Sequence, residues 1–341
     1  MRILVTGATG FVGSVLMPEL MKKFGPESLS AFVLPGEEIP DTWSGHGIRL
    51  FDGDIADREA VFAACRGHSH VIHLAGLISY WKYDLEKLMK VNRDGVRNVV
   101  EACLSFNVRR LIHISSVGAV GFFKNGRPAD ETTPFNWPSS FYYMTSKYEG
   151  QKIVEEAVQG RGLRAIILNP ASIMGPGDWN LETPHNQLYR TIHTKTLCGS
   201  FAGGLAAVDV RDLAAVIIKA LEGGGRLGEK YLVVGANVRY SDVIRRIARH
   251  AGRRAYPFPV PSFLVAAAGA VLELISGFTR KKPLLTSAYG RLSGWRAYYS
   301  SAKSQKEFAH TYFAFEKTIQ DTCLYFQKTF LDLPPMTSSE S

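Results

Sequence analysis

Thr6-Gly7-Ala8-Thr9-Gly10-Phe11-Val12-Gly13 is the stretch that decides the fold. It follows an apolar run, Arg2 to Val5, and leads into apolar positions at helical spacing, Val12, Val15, Leu16 and Leu20. The order is strand, glycine turn, helix. Gly7 permits a tight turn. Gly10 lacks the Cβ that would hold a pyrophosphate off the backbone, and Gly13 permits close helix–strand packing. The helix N-terminus then offers free N–H groups and the positive end of its dipole to a phosphate. A glycine turn alone also serves as a plain tight loop. Its place after the first strand of an alternating series is what makes it informative. Pro18 lies inside the helix and is expected to kink it or loosen its first turns.

Leu29 to Leu34, Ile48 to Phe51, Val71 to Leu74, Arg110 to Ile114, Leu163 to Leu168 and Lys230 to Val234 read as further strands. Leu85 to Phe106, Tyr142 to Gln159 and Val210 to Leu221 read as helices. The strands are nearly continuous apolar runs, as in a parallel sheet buried on both faces. The fold class is α/β, a Rossmann-type doubly wound parallel sheet with a smaller C-terminal substrate lobe. Residues 1–170 form the dinucleotide-binding domain, and 209–235 return to it. Residues 171–208 and 236–330 form the lobe, and 331–341 are a flexible polar tail.

The chain has 341 residues, of which 46% are hydrophobic and 21% charged. That composition buries a core and excludes disorder as a description of the whole. Cys65, Cys103, Cys198 and Cys323 stand far apart with no CxxC spacing, which excludes a disulfide scaffold and argues against zinc. No signal segment is visible, so a reducing cytoplasm is the expectation. The net charge of +9 is uneven: Lys230 to Lys306 holds fourteen Lys and Arg against two acids, Asp242 and Glu273. A basic region on a mildly acidic body does not call for a nucleic-acid partner. It reads as solvated lobe surface or as contact with an anionic substrate tail or anionic membrane.

The second strand ends Val33-Leu34-Pro35-Gly36-Glu37-Glu38, with neither the acid that holds adenosine ribose hydroxyls nor a base for a 2′-phosphate at the expected place. The cofactor is NAD or NADP. The absence of any Lys or Arg between Lys23 and Arg49 leans toward NAD. Asp54, after the third strand, reads as an acceptor for the adenine amino group or as a turn aspartate.

Tyr143 and Lys147 are four apart on a helix and share a face. A phenol is a poor acid–base catalyst at neutral pH, and a neighbouring ammonium lowers its pKa. Ser116, at the end of the fifth strand, can donate to a substrate oxygen. Tyr148 and Lys152 repeat the spacing, but five residues further on they point about 140° away. Tyr143 is preferred because it opens its helix, near the strand ends where ligands bind in such sheets.

With these residues in hand, the chain resembles the extended short-chain dehydrogenases/reductases of the NAD-dependent epimerase/dehydratase type, to about residue 330. The resemblance rests on the glycine turn, Gly53-Asp54-Ile55, His73-Leu74-Ala75-Gly76, Val91 to Asn98, Ser115-Ser116-Val117, Tyr143 to Lys147, Asn169-Pro170 with Gly175-Pro176-Gly177-Asp178, and Val208 to Asp212. It implies Ser116, Tyr143 and Lys147 as catalytic, with Asn92 supporting them. It implies cofactor contacts at Gly7, Thr9, Gly10, Phe11, Val12, Gly13, Asp54, Ile55, Leu74, Ala75 and Gly76. Tyr143 and Lys147 would also touch the cofactor, with Asn169, Pro170, Ala171 and Ser172 beside the nicotinamide. The segments Asn169 to Asp178 and Val234 to Asn237 are similar to the dihydroflavonol-4-reductase-like and 3β-hydroxysteroid dehydrogenase-like subgroup. A homodimer through the helices around 85–105 and 142–159 is also implied.

The expected activity is interconversion of an alcohol and a ketone on a largely apolar small molecule. The alternative is epimerisation of a nucleotide sugar through transient oxidation. A cofactor-binding regulator without catalysis is disfavoured by the intact Ser116, Tyr143 and Lys147. Phe263 to Phe278 is almost uncharged, and its first expectation is a buried helix of the lobe. The alternative is a helix at a membrane surface beside Arg280-Lys281-Lys282.

Overall fold

The computed structural model describes residues 1–43, 45, 47–279, 283 and 285–331. Arg280 to Lys282, and the expected tail beyond Leu331, lie outside the described residues. The strands are β1 Ile3–Thr6, β2 Leu29–Val33, β3 Arg49–Asp52, β4 His70–His73, β5 Arg110–Ile114, β6 Ala165–Pro170, β7 Ser172–Met174, β8 Leu197–Phe201, β9 Gly204–Asp209, β10 Lys230–Val233, β11 Ala236–Arg239, β12 Ala255–Val260 and β13 Arg296–Ala297. The helices are α1 Phe11–Phe24, α2 Arg58–Cys65, α3 Leu85–Met89, α4 Val96–Ser105, α5 Tyr142–Arg161, α6 Pro184–Thr194, α7 Val210–Leu221, α8 Tyr240–His250, α9 Ser262–Thr279, α10 Ser287–Leu292, α11 Ala302–Glu307 and α12 Phe315–Phe326.

Seven strands form one parallel sheet in the order β10-β6-β5-β4-β1-β2-β3. Every residue of β1, β2 and β6 is buried, whereas the edge strand β3 exposes Arg49, Leu50 and Asp52. Alternation divides the apolar residues between two layers. Ile3, Val5, Ile72 and Ile112 join Leu16 and Leu20 of α1 and Leu213 and Ile217 of α7. Leu4, Val71 and Leu111 join Val99 of α4 and Val154 of α5. The chain first builds outward from β1 to β3 and then from β4 to β10 on the other side. Strand order therefore reverses between β1 and β4, and a crevice opens at their carboxyl ends.

Helix starts follow local chemistry. Asp57 caps α2 by accepting from the N–H groups of Glu59 and Ala60, and Asp209 caps α7 by accepting from Arg211. Two expectations change in detail. Helix α1 runs unbroken through Pro18, its buried face of Gly13, Leu16, Met17 and Leu20 held against the sheet. The single helix expected over 85–106 is instead α3, a π-helical segment Lys90–Gly95, and α4. The wider turn coincides with Asn92, whose amide is tied to the backbone of Leu77.

Beyond the main sheet, β9 pairs with β11, β13 and β7, and β8 pairs with β12. A third core joins Tyr189 of α6, Ile247 of α8, and Ile319 and Phe326 of α12. The expectation of a buried helix over 263–278 is not met. Only Val265, Gly269 and Ser276 of α9 are buried. The helix packs on α10 so closely that a Cβ on Gly269 would meet Thr286 at 2.5 Å, and one on Gly290 would meet Ala266 at 2.5 Å. One narrow stripe of small residues makes that contact, and the larger apolar side chains face outward.

Candidate active site

The glycine turn separates three roles by contact. Gly7 has φ +67°, and a Cβ there would lie 2.8 Å from the Ala75 nitrogen, so both conformation and the closeness of the β4 end require glycine. A Cβ on Gly13 would lie 2.0 Å from the Ala8 oxygen, which sets α1 tight against its own entry loop. A Cβ on Gly10 would meet only the Gly7 oxygen, at 3.4 Å. No protein packing demands glycine at 10, and its missing side chain leaves room for a ligand on the backbone. The first bond of α1 runs from the Ser14 N–H to the Gly10 carbonyl at 2.8 Å, so the N–H groups of Phe11, Val12 and Gly13 stand ahead of it. This cradle fits a dinucleotide pyrophosphate.

The end of β2 folds back toward the turn. The Glu37 carboxylate accepts from the Thr9 hydroxyl at 2.5 Å and from the Leu34 N–H at 3.3 Å. An acid absent from the expected position thus arrives from three residues further along. Asp54 accepts from the Ala56 N–H at 2.9 Å, a turn role that occupies one of its oxygens. Ile55 is buried, and its carbonyl accepts from the Asn98 amide at 3.1 Å.

Across the crevice, Ser116 stands two residues beyond β5 and caps a short turn. Its Oγ accepts from the Gly118 N–H at 3.0 Å, which leaves the hydroxyl proton to be donated outward. Tyr143, in the first turn of α5, shares a hydrogen bond with Ser116. Burial pushes the Tyr143 phenol above its ordinary range, and the Ser116 bond pulls it back in part. Lys147 is buried, and desolvation brings it down to about 8. Its Nζ donates to the Ile114 carbonyl at 3.0 Å. The expectation that the ammonium depresses the tyrosine is therefore not met in this arrangement: burial dominates the phenol, and the ammonium points at the strand end. Tyr148 stacks on Phe135 with ring centroids 4.2 Å apart, and Lys152 faces Glu156, so the repeated pair lies elsewhere on the helix.

Behind these groups lies a polar scaffold. Asn92 is buried; its Oδ1 accepts from the Leu77 N–H at 2.8 Å, and its amide donates to the Leu77 carbonyl at 2.8 Å and to Ser146 Oγ at 2.9 Å. A Cβ on Gly76 would lie 3.3 Å from Asn92 Oδ1 and 3.6 Å from Lys147 Nζ, so Leu74, Ala75 and Gly76 line the same wall. Asn169 departs from its expected place beside the cofactor. It is fully buried and donates to the Ser116 carbonyl at 2.7 Å and to Gln151 Oε1 at 2.6 Å. Gln151 also accepts from Ser115 Oγ at 2.7 Å. Asn169 thus braces Ser116 from beneath. Pro170 and Ala171 are buried after it, while Ser172 is partly exposed and meets His185 at 3.2 Å.

Sequence reasoning missed two features. His73 and His113 stack with centroids 5.4 Å apart below Lys147, and burial brings His73 to about 3 and His113 well below its ordinary value. Their place on neighbouring parallel strands, in register, was the available signal. The second is an aromatic wall. Tyr80 meets Tyr143 edge-on at 5.9 Å and Tyr289 of α10 at 5.3 Å, and Tyr289 meets Phe201 at 5.8 Å. These rings come from four distant parts of the chain, and no local pattern joins them.

Comparison with known proteins agrees with the fold. The chain is 29% identical over 313 residues to sterol demethylase protein B of Methylococcus capsulatus, covering 90% of this chain and 92% of that protein. It is 25% identical over 329 residues to a putative dihydroflavonol 4-reductase of Synechocystis sp., covering 95% and 94%. The crystal structure of gox2253 superposes with a TM-score of 0.81 at 30% identity, covering 96% of this chain and 98% of that one. Residues 3–234 match the NAD dependent epimerase/dehydratase family. The glycine cradle at the strand-order reversal faces Ser116, Tyr143 and the buried Lys147, and the chain, an NAD-dependent oxidoreductase-type enzyme, belongs to the NAD-dependent epimerase/dehydratase family.

Proposed function

We propose that this enzyme interconverts an alcohol and a ketone on a largely apolar small molecule, with NAD rather than NADP as the redox partner. The observation that carries the substrate class is the aromatic wall: the space against Tyr143 is bounded by Tyr80, itself backed by Tyr289. Apolar rings reward burial of an apolar substrate and offer little to a phosphorylated sugar. Sterol demethylase protein B carries a sterol in its name, which is consistent with that class. The NAD preference rests on Glu37, whose carboxylate beside Thr9 would repel a 2′-phosphate.

A bound nicotinamide supplies or accepts the hydride. The chain's own residues handle the oxygen. Ser116 donates a hydrogen bond to the carbonyl oxygen and keeps its proton, one of its own lone pairs being engaged by the Gly118 N–H. Tyr143 delivers the phenolic proton to the same oxygen in reduction and withdraws it in oxidation. Lys147, whose Nζ sits on the Ile114 carbonyl, would hold a ribose hydroxyl of the bound cofactor, and Asn92 and Asn169 keep the segments under Gly76 and Ser116 in place. Incubation of the purified protein with NADH or NADPH and a panel of apolar ketones and nucleotide sugars tests this. Net change in nicotinamide absorbance with a ketone, faster with NADH, is expected. Epimer formation from a nucleotide sugar without net absorbance change would overturn it.

A further inference from the structure

We propose that α9 is a docking surface for an anionic lipid bilayer, lying in the plane of the headgroups. The helix is amphipathic in the reverse sense of a soluble one. Its one charged residue, Glu273, lies on the partly buried side, and its outward face carries no charge at all. That face presents Phe263, Leu264, Val271, Leu274, Ile275 and Phe278, with Leu274 66% and Phe278 83% exposed. The chain entering the helix adds exposed Tyr256 and Phe258 from β12. A contiguous apolar surface of this kind marks an interaction site.

Charge says what covers it. Arg253 and Arg254 are exposed at the start of β12, and Lys195 is exposed at the matching end of its parallel partner β8. In the sequence Arg280, Lys281 and Lys282 follow the last residue of the helix directly. Cations thus bracket the apolar face along the chain, the pattern that suits acyl chains beneath anionic headgroups. A second copy of the chain fits poorly, because a two-fold contact would set the same cations against each other. Spanning fits poorly too: α9 has 18 residues, a span needs about 20, and one side is held to α10. Docking in this plane also orients the site, since Tyr289 of α10 leads through Tyr80 to Tyr143. An apolar substrate would then enter from the lipid surface, a corollary that rests on the proposed oxidoreductase reading; the docking itself does not.

Vesicle flotation tests it without reference to turnover. The full chain is mixed with phosphatidylcholine vesicles with or without phosphatidylserine, at low and high salt. Leu274→Glu and Phe278→Glu touch only exposed positions, and thermal unfolding checks that they stay folded. Binding to the phosphatidylserine vesicles is expected, falling at least tenfold in either variant, in high salt, and when Arg280, Lys281 and Lys282 are changed to Ala. Protein left in the soluble fraction under every condition, or binding indifferent to lipid charge, overturns the proposal. So does a dimer in size-exclusion chromatography that Leu274→Glu dissociates.

Discussion

Substitution of the three glycines separates ligand contact from packing. A Cβ at Gly13 would meet the backbone of Ala8 at 2.0 Å for the oxygen and 2.4 Å for the carbon. Backbone cannot swing aside as a side-chain end can, so Gly13→Ala must lift α1 off its loop, at the upper end of overpacking losses, about 3 kcal/mol. With unfolding entropy near 2.1 cal/mol/K per residue, a chain of 341 residues then loses roughly 4 °C in Tm. Gly7→Ala adds the left-handed backbone, another ~1–2 kcal/mol. Gly10 differs: its φ is −73°, and the nearest atom to its Cβ direction is 3.4 Å away. Gly10→Val should change stability by about 1 kcal/mol or less. Its side chain nevertheless occupies the ground a pyrophosphate needs, and NADH affinity should fall at least a hundredfold, roughly 2.7 kcal/mol. Thermal unfolding and fluorescence titration with NADH read the two effects separately. Wild-type affinity in Gly10→Val, or a Tm loss as large as that of Gly13→Ala, would refute the assignment of Gly10 to the ligand.

Tyr143→Phe should lower kcat by about 10²–10⁴-fold with NADH affinity retained, while Tyr148→Phe, which keeps its stacking on Phe135, should stay within about twofold; the reverse pattern would move the site. Lys147 sits near 8 when folded against 10.5 ordinarily, so the unfolded chain binds the proton more tightly between those values. Wild-type stability should therefore rise relative to Lys147→Met from pH 8 to 10.5, by roughly 3 kcal/mol in urea unfolding; a flat difference across that window would show that burial does not depress the lysine. Glu37→Ser should narrow the preference for NADH over NADPH by about tenfold in kcat/KM, because it removes the carboxylate beside Thr9; an unchanged ratio would place cofactor choice elsewhere.

Much of this molecule is legible along the chain because its signals are local. The parallel sheet follows from apolar runs alternating with helical spacing, and β1, β2 and β6 are buried end to end as such runs demand. Helix periodicity separates Tyr143 from Tyr148, since about 140° of rotation sends the second ring to Phe135, and the place of Tyr143 at the start of its helix is what favours it. Gly7, Gly10 and Gly13 are placed by spacing, although only the contacts show that Gly10 alone is free of packing duty.

Tertiary structure decided whatever depends on residues distant in the chain. Periodicity could not show which way α9 faces, because a single charge, Glu273, makes no polar side to mark the solvent. Its small residues, Gly269 and Ala266, meet α10 and turn the large apolar ones outward. Asn169 looked like a cofactor contact until strand pleating turned it beneath Ser116, against Gln151 of α5. Glu37 lies too far past β2 for a spacing rule, and only the turn Pro35-Gly36 brings its carboxylate back to Thr9. The wall of Tyr80, Tyr289 and Phe201 closes loops of up to about two hundred residues, a pairing that burial selects and local sequence does not encode.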